Sequence, residues 1–179
     1  METIETGTAA APEIAALVRA TFTASEGPEE GDLVGAFAAA LMAETAPQDL
    51  HAFTAWDGTQ PVGACFFSRM VYAGDPRTVF ILSPVAVAPE RQGAGVGQRL
   101  LRHGLGVLKA EGVDVALTYG DPAYYGKVGF RPVSVEEVPA PHRLQFPEGW
   151  LAQTLDESPL APFSGPVRCV AALNRPELW

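Results

Sequence analysis

Cysteine is nearly missing from the chain: Cys65 and Cys169 are the only two in 179 residues, far apart and outside any CxxC pair. That excludes a disulfide-dense scaffold and a cysteine-based structural zinc site. Both read as small core thiols, with a nucleophile or a disulfide left open. The three histidines, His51, His103 and His142, have no spacing suited to a shared metal, so no metal is assigned. Basic residues are also scarce, 12 Lys and Arg against 21 Asp and Glu, for a formal net charge of −9. Such a balance opposes unspecialised binding to polyanions, so DNA, RNA and anionic membrane surfaces are excluded as partners, with room only for a local cationic pocket. No apolar run approaches a membrane span and no basic, apolar, small-residue leader opens the chain. The expectation is a soluble cytoplasmic protein.

What is present suffices for a core. Hydrophobic residues make up 47% and charged residues 18%, while 16 Pro and 18 Gly imply many turns. The length suits one domain over residues 1–179. Nine of the acids and a single base fall in residues 1–50, which suits a solvated surface or a cationic substrate near the first helices.

Apolar spacing predicts a helix over 12–24, through Ile14, Leu17, Val18 and Phe22, and another over 30–44, through Leu33, Val34, Phe37 and Leu41. SEGPEEGD between them reads as a polar loop bordering an entrance. Strands are predicted at 51–57 and 61–70 around the Asp57–Gly58–Thr59–Gln60 turn. The almost continuously apolar TVFILSPVAV at 78–87 reads as a central strand that Pro84 bulges or locally opens. A helix from about Ala94 to Ala110 buries Val96, Leu100, Leu101, Leu105 and Leu108, and VDVALTY at 113–119 returns to strand, completing a βαβ unit. Beyond Phe130, proline-punctuated pieces precede a terminal strand at 166–173. Trp56, Phe66, Phe67, Phe80 and Phe130 read as core, and Trp150 and Trp179 as cavity lining or a dimer contact.

Chemistry concentrates in VAPERQGAGVGQRLL at 87–101. Gly93, Gly95 and Gly97 permit a tight turn, and the amides of the helix that follows can hold phosphate oxygens; a glycine-relieved turn without ligand is the alternative. The GxGxG spacing is not the dinucleotide GxGxxG, and no Lys stands where a phosphate loop of the GxxxxGK type needs one.

These residues, LSPVAVAPERQGAGVGQRLL followed by GDPAYYGKVGF, resemble the GCN5-related N-acetyltransferase (GNAT) superfamily, and in particular its small bacterial branch with a DPAYY-like segment. The resemblance covers roughly residues 4–130 and leaves 131–179 as a divergent portion. It implies a mixed α/β fold, a strongly twisted mixed sheet of about six or seven strands flanked by helices. It also implies acetyl coenzyme A (acetyl-CoA) as cosubstrate. The family's (Q/R)xxGx(G/A) element falls on Gln92, Gly95 and Gly97, with Arg91 just before and Gly93, Ala94 and Val96 within the same turn. Val85, Ala86 and Val87 fall on the splayed strand facing the acetyl-pantetheine arm. Tyr125, five residues before Phe130, takes the position of the tyrosine that protonates the leaving thiolate, with Tyr124 as the alternative. Asp121 stands where other branches carry asparagine, and reads as a pocket or turn residue.

The activity so implied is transfer of an acetyl group to a primary amine, on a small molecule or a protein, by direct attack; a noncatalytic acyl-CoA sensor is the alternative. No Asp or Glu in FILSPVAV offers a base, and Ser83 suits only the orientation of water. The resemblance makes Glu26, Glu29, Glu30 and Glu44 candidate pocket acids from the first two helices and their loop, although each taken alone reads first as a solvated surface residue. A homodimer is open, with no interface located.

Overall fold

The computed structural model describes residues 2–179. Eight strands form one sheet: β1 (Glu2–Thr6), β2 (Leu50–Asp57), β3 (Gln60–Tyr72), β4 (Val79–Val87), β5 (Val115–Tyr119), β6 (Arg131–Pro132), β7 (Trp150–Thr154) and β8 (Val167–Cys169). Their order is β1-β2-β3-β4-β5-β7-β6, and β8 pairs with the far end of β3, beyond the reach of β2. Among the described residues only β4 and β5 run parallel, joined by the helix α3 (Val96–Ala110) in the expected βαβ unit. The helices α1 (Ala11–Glu26) and α2 (Pro28–Glu44) and the short α4 (Pro122–Tyr125) complete the mixed α/β architecture.

Two cores flank the sheet because successive strand side chains point to opposite faces. Val79 and Ile81 of β4, Val115 and Leu117 of β5 and Phe66 of β3 join Ile14, Val18, Phe37 and Leu41 of α1 and α2. Phe80, Leu82, Ala116 and Phe67 instead meet Val96, Leu100, Leu101, Leu105 and Leu108 of α3. The aromatics predicted as core are buried except Trp56, which is half-buried.

Helices α1 and α2 are joined by one residue, Gly27 (φ 98°), where the sequence suggested an eight-residue polar loop. Pro28 occupies an opening helical position and Glu29 and Glu30 follow in the first turn, where carboxylates favour the helix dipole, so polar residues here start a helix. Close packing of the pair relies on Gly31, where an added Cβ would lie 2.8 Å from the Arg19 carbonyl oxygen.

The divergent portion also departs from expectation. It supplies β7, which inserts antiparallel between β5 and β6, and the predicted strand at 166–173 shortens to β8 followed by a 3₁₀ turn at Ala171–Leu173. Trp150 heads β7, fully buried, with its indole donating to the Val138 carbonyl at 2.8 Å.

Central to the site is the middle of β4. Cys65 pairs with Val85 and Phe67 with Leu82, so Phe66 alone stands opposite Ser83 and Pro84, a β-bulge at the proline that the sequence flagged. The extra residue reverses the facing of the strand. Odd positions before it face α1 and α2, whereas Val85 and Val87 after it pack toward α3 and Ala86 faces the other core. Parallel pairing with β5 ends at Leu82 and Thr118, and the Thr118 hydroxyl closes the last rung by donating to the Leu82 carbonyl at 2.9 Å. Beyond it the two strands part.

Burial makes alkali the weak side of this fold. It raises the Tyr125 phenol and the Cys65 thiol, and raises the Tyr72 phenol against the opposing pull of the Arg77 cation. Groups raised in the folded state stabilise it fully below their unfolded values, and that contribution is lost as pH rises beyond them. Denaturant titrations should therefore show stability falling from about pH 9 upward. Tyr72→Phe should flatten that fall while costing about 1 kcal/mol at neutral pH through loss of the 2.7 Å bond to the Pro139 carbonyl. Leu100→Ala, which empties a fully buried position on α3, should cost about 2–5 kcal/mol by the same measurement.

Candidate functional site

Where β4 and β5 diverge, a cleft of about 580 Å³ opens between α1, the end of β4, the glycine turn and α4. Val85 and Val87 line it, turned there by the bulge, whereas the Ala86 side chain is buried in the opposite core. The chain leaves β4 through a 3₁₀ turn at Pro89–Arg91 and re-enters helix at Val96. Between them Gly93 (φ 77°) and Gly95 (φ 82°) take left-handed conformations that favour glycine.

The turn leaves donors free. The amides of Gly93, Gly95, Val96, Gly97 and Gln98 have no acceptor among the described residues, and the last three open α3, where the helix dipole adds positive potential. Gly93, Gly95, Val96, Gly97 and Gln98 all line the cleft, together with the bases Arg91 and Lys127 and no acid. This is a site for an anion with several oxygens. Ala94, also predicted to bind cofactor, does not line the cleft: its amide donates to the Arg91 carbonyl at 3.4 Å and its carbonyl accepts from Arg99 at 3.2 Å.

Two predicted side chains are already engaged. Arg91 pairs with Glu2 of β1 and, at 3.0 Å, with Asp57 at the end of β2, so its guanidinium braces the turn against the sheet edge. Arg99 joins the same Glu2 carboxylate. Bonding to Arg91 is the main reason the Glu2 carboxyl lies below its ordinary range. Gln92 donates to the Val87 carbonyl at 3.1 Å, tying the turn to the strand end. Glu2 and its strand had no counterpart in the sequence reading, because ETIET carries a single apolar residue.

Both tyrosines reach the cleft. Asp121 caps α4 by accepting from the Ala123 amide at 2.8 Å, and the short helix presents Tyr124 and Tyr125 with ring centroids 5.0 Å apart. Each fits against a glycine. A Cβ on Gly97 would lie 2.1 Å from the Tyr124 hydroxyl, and one on Gly120 would lie 2.6 Å from the Tyr125 ring. Tyr125 also packs edge-on to Phe130, at 6.0 Å. Burial raises both phenols, with the Thr118 hydroxyl acting weakly in the other direction on Tyr125, so each keeps its proton at neutral pH.

A second cavity, of about 460 Å³, shares Phe22, Val85, Tyr124 and Tyr125 with the first and continues along the other side of the tyrosines. Ser83, Glu26, Glu30, Asp121 and Glu177 line it, and no Lys or Arg does. Of the acids singled out in the sequence, Glu26 and Glu30 therefore reach the site, while Glu29 and Glu44 do not line it. Glu177 was missed because it lies in the tail, where no motif marks it. The combined cleft is bipolar, basic toward α3 and acidic toward the tail.

The cysteines stay apart. Cys65 is buried, and burial pushes the Cys169 thiol up to about 11, so neither is a ready thiolate at neutral pH. Among the described residues no group of three His, Cys, Asp or Glu could hold a metal ion, and no helix is long and apolar enough to cross a membrane.

The chain belongs to the GNAT acetyltransferase family, whose acetyltransferase (GNAT) domain matches residues 48–132. Over 146 residues it is 34% identical to the uncharacterized N-acetyltransferase YjhQ of Escherichia coli K12, spanning 79% of this chain and 78% of that protein. The crystal structure of the GNAT family N-acetyltransferase YhbS from Escherichia coli in complex with CoA superposes with a TM-score of 0.82 at 25% identity, covering 97% of this chain and 92% of that one. A GNAT family acetyltransferase from Brucella melitensis, in complex with acetyl-CoA, gives 0.71 at 27% identity, over 97% and 98% of the two chains.

The fit at Gly97 is testable. Gly97→Ala should displace the Tyr124 hydroxyl while keeping the fold, because alanine is the better helix former. Near-ultraviolet circular dichroism should change, with the melting temperature within about 5 °C of the parent.

Proposed function

We propose that the protein is an N-acetyltransferase that moves the acetyl group of acetyl-CoA to a primary amine by direct attack. The observation that carries this reading is the set of free amides at Gly93 and at Gly95 to Gln98 beside the bulged end of β4, in a chain of GNAT family membership. In this reading Gly93, Gly95, Val96, Gly97 and Gln98 hold the pyrophosphate through their amides, and Lys127 adds charge at the rim. Arg91 acts by bracing the turn through Glu2 and Asp57. Val85 and Val87 flank the pantetheine arm, and the parting of β4 from β5 leaves strand amides to face it.

Bound acetyl-CoA supplies a thioester whose carbonyl carbon forms the new C–N bond as the C–S bond breaks. Tyr125 donates its proton to the departing sulfur and regains one, through water, from the nitrogen as the amide forms. Its position where the two cavities meet, and a phenol that burial holds in the neutral form, support the role. Tyr124 shares both cavities and is the second candidate. The amine must arrive or become neutral before attack, and Ser83 and the carboxylates Glu26, Glu30 and Glu177 line the side from which it enters. The YhbS complex with CoA and the Brucella melitensis complex with acetyl-CoA support the same cosubstrate here.

Acceptor-dependent release of free thiol, measured over a panel of amines, tests the reading. Tyr125→Phe should lower turnover by about 10²-fold while changing acetyl-CoA affinity little. Tyr124→Phe should act less on turnover. The rate should climb with pH as the amine loses its proton, with no decline through pH 10 from ionisation of Tyr125, because its folded value is raised above the ordinary phenol value of about 10. Thiol release by no amine from a protein that binds acetyl-CoA would instead identify a sensor. An unchanged turnover in Tyr125→Phe would move the proton donor to Tyr124 or to water.

A further inference from the structure

Beyond the acidic cavity a third space, of about 540 Å³, shares Glu26, Glu30, Tyr119, Gly120, Asp121 and Glu177 with it and so extends the same route outward. Its walls come from the divergent portion. Trp179 is 2% exposed, donates its indole N–H to the Leu173 carbonyl at 3.0 Å and stacks on Tyr119 at 6.5 Å, which pins Leu178 and Glu177 against the cavity. On the opposite rim the Tyr119 hydroxyl accepts from the Phe146 amide at 2.7 Å. Tyr119 thus ties both tail segments to the end of β5.

Phe146 is the outlier of the surface. It is 63% exposed, the most open large apolar side chain among the described residues, yet its backbone is fastened to the wall of the site. An exposed aromatic on an anchored backbone costs little further backbone entropy when a ligand packs on it. Its neighbours set the ligand's charge: Glu148 lies two residues on, Glu26, Glu30 and Asp121 face the same space, and no Lys or Arg lines it. Arg175 approaches only to pair with Glu177 at 2.7 Å.

We propose that Phe146 is a specificity-determining residue of the acceptor site, packing on the far end of an amine that carries a second positive charge. This rests on the acetyltransferase reading for the direction of entry, with the reacting amine at Tyr125 and the second cation outward at Phe146. A face of aromatic carbon attracts an ammonium group, and carboxylates around it reinforce the preference.

Calorimetric titration of 1,5-diaminopentane and of pentylamine into the intact protein, with and without CoA, tests this without turnover. The two probes differ by one ammonium group. The protein should bind the diamine more tightly, and the difference should shrink as salt rises. Phe146→Ala should weaken diamine binding about two- to fivefold, Phe146→Trp should restore it and Phe146→Leu should not. Exposure of the side chain leaves folding unaffected in all three. Binding of neither amine at millimolar concentration, equal binding of both, or full restoration by leucine would overturn the proposal. A retained diamine preference in a protein that binds no acetyl-CoA would leave this subsite standing and remove the acetyltransferase reading instead.

Discussion

The site depends on where β4 and β5 cease to pair. Four residues of β4, Val79 to Leu82, run in register with Val115 to Thr118, and then the bulge at Ser83–Pro84 reverses the facing of the strand. Without the extra residue, Val85 and Val87 would face α1 and α2, and Ala86 would face α3. With it, valine side chains meet the first turn of α3, and the strand's remaining length is free to border a cleft. Every other feature follows that parting. The glycine turn lies at its floor, α4 enters from the β5 side, and the tail closes the outer end.

Electrostatics divide the cleft along its length. Free amides, the α3 dipole and Lys127 make the inner end attractive to phosphate, on a turn that Arg91 braces. Carboxylates from α1, α2, α4's cap and the tail make the outer end attractive to cations. The net charge of −9 thus conceals two local potentials of opposite sign, which suits a reaction between an anionic donor and a cationic acceptor. The tyrosines stand at the boundary, each fitted against a glycine that leaves its ring room.

Much of this was legible in the sequence for identifiable reasons. The helix α3 and its flanking strands have strong apolar periodicity, and Gly93, Gly95 and Gly97 mark the turn; Pro84 marks the bulge because it cannot donate to a ladder. Less legible was the helix start at Pro28, where Glu29 and Glu30 look like loop residues until the dipole is considered. β1 and β7 were hidden because their pairing partners are distant in sequence and their own patterns are short. For the same reason Glu177 and Phe146 carry no local signal; the folded tail brings them to the mouth of the cleft, beside Trp179, which the sequence offered as cavity lining.

Parted strands and free amides that form an acetyl-CoA site must bind that ligand whatever the acceptor. Calorimetric titration of acetyl-CoA into ligand-free protein, with NADH as the control nucleotide, tests it most directly. One acetyl-CoA should bind per chain, desulfo-CoA should bind in the same way, and NADH should give no comparable heat. Folded protein that bound no CoA compound, or bound NADH equally well, would contradict it and return the glycine turn to a purely structural role.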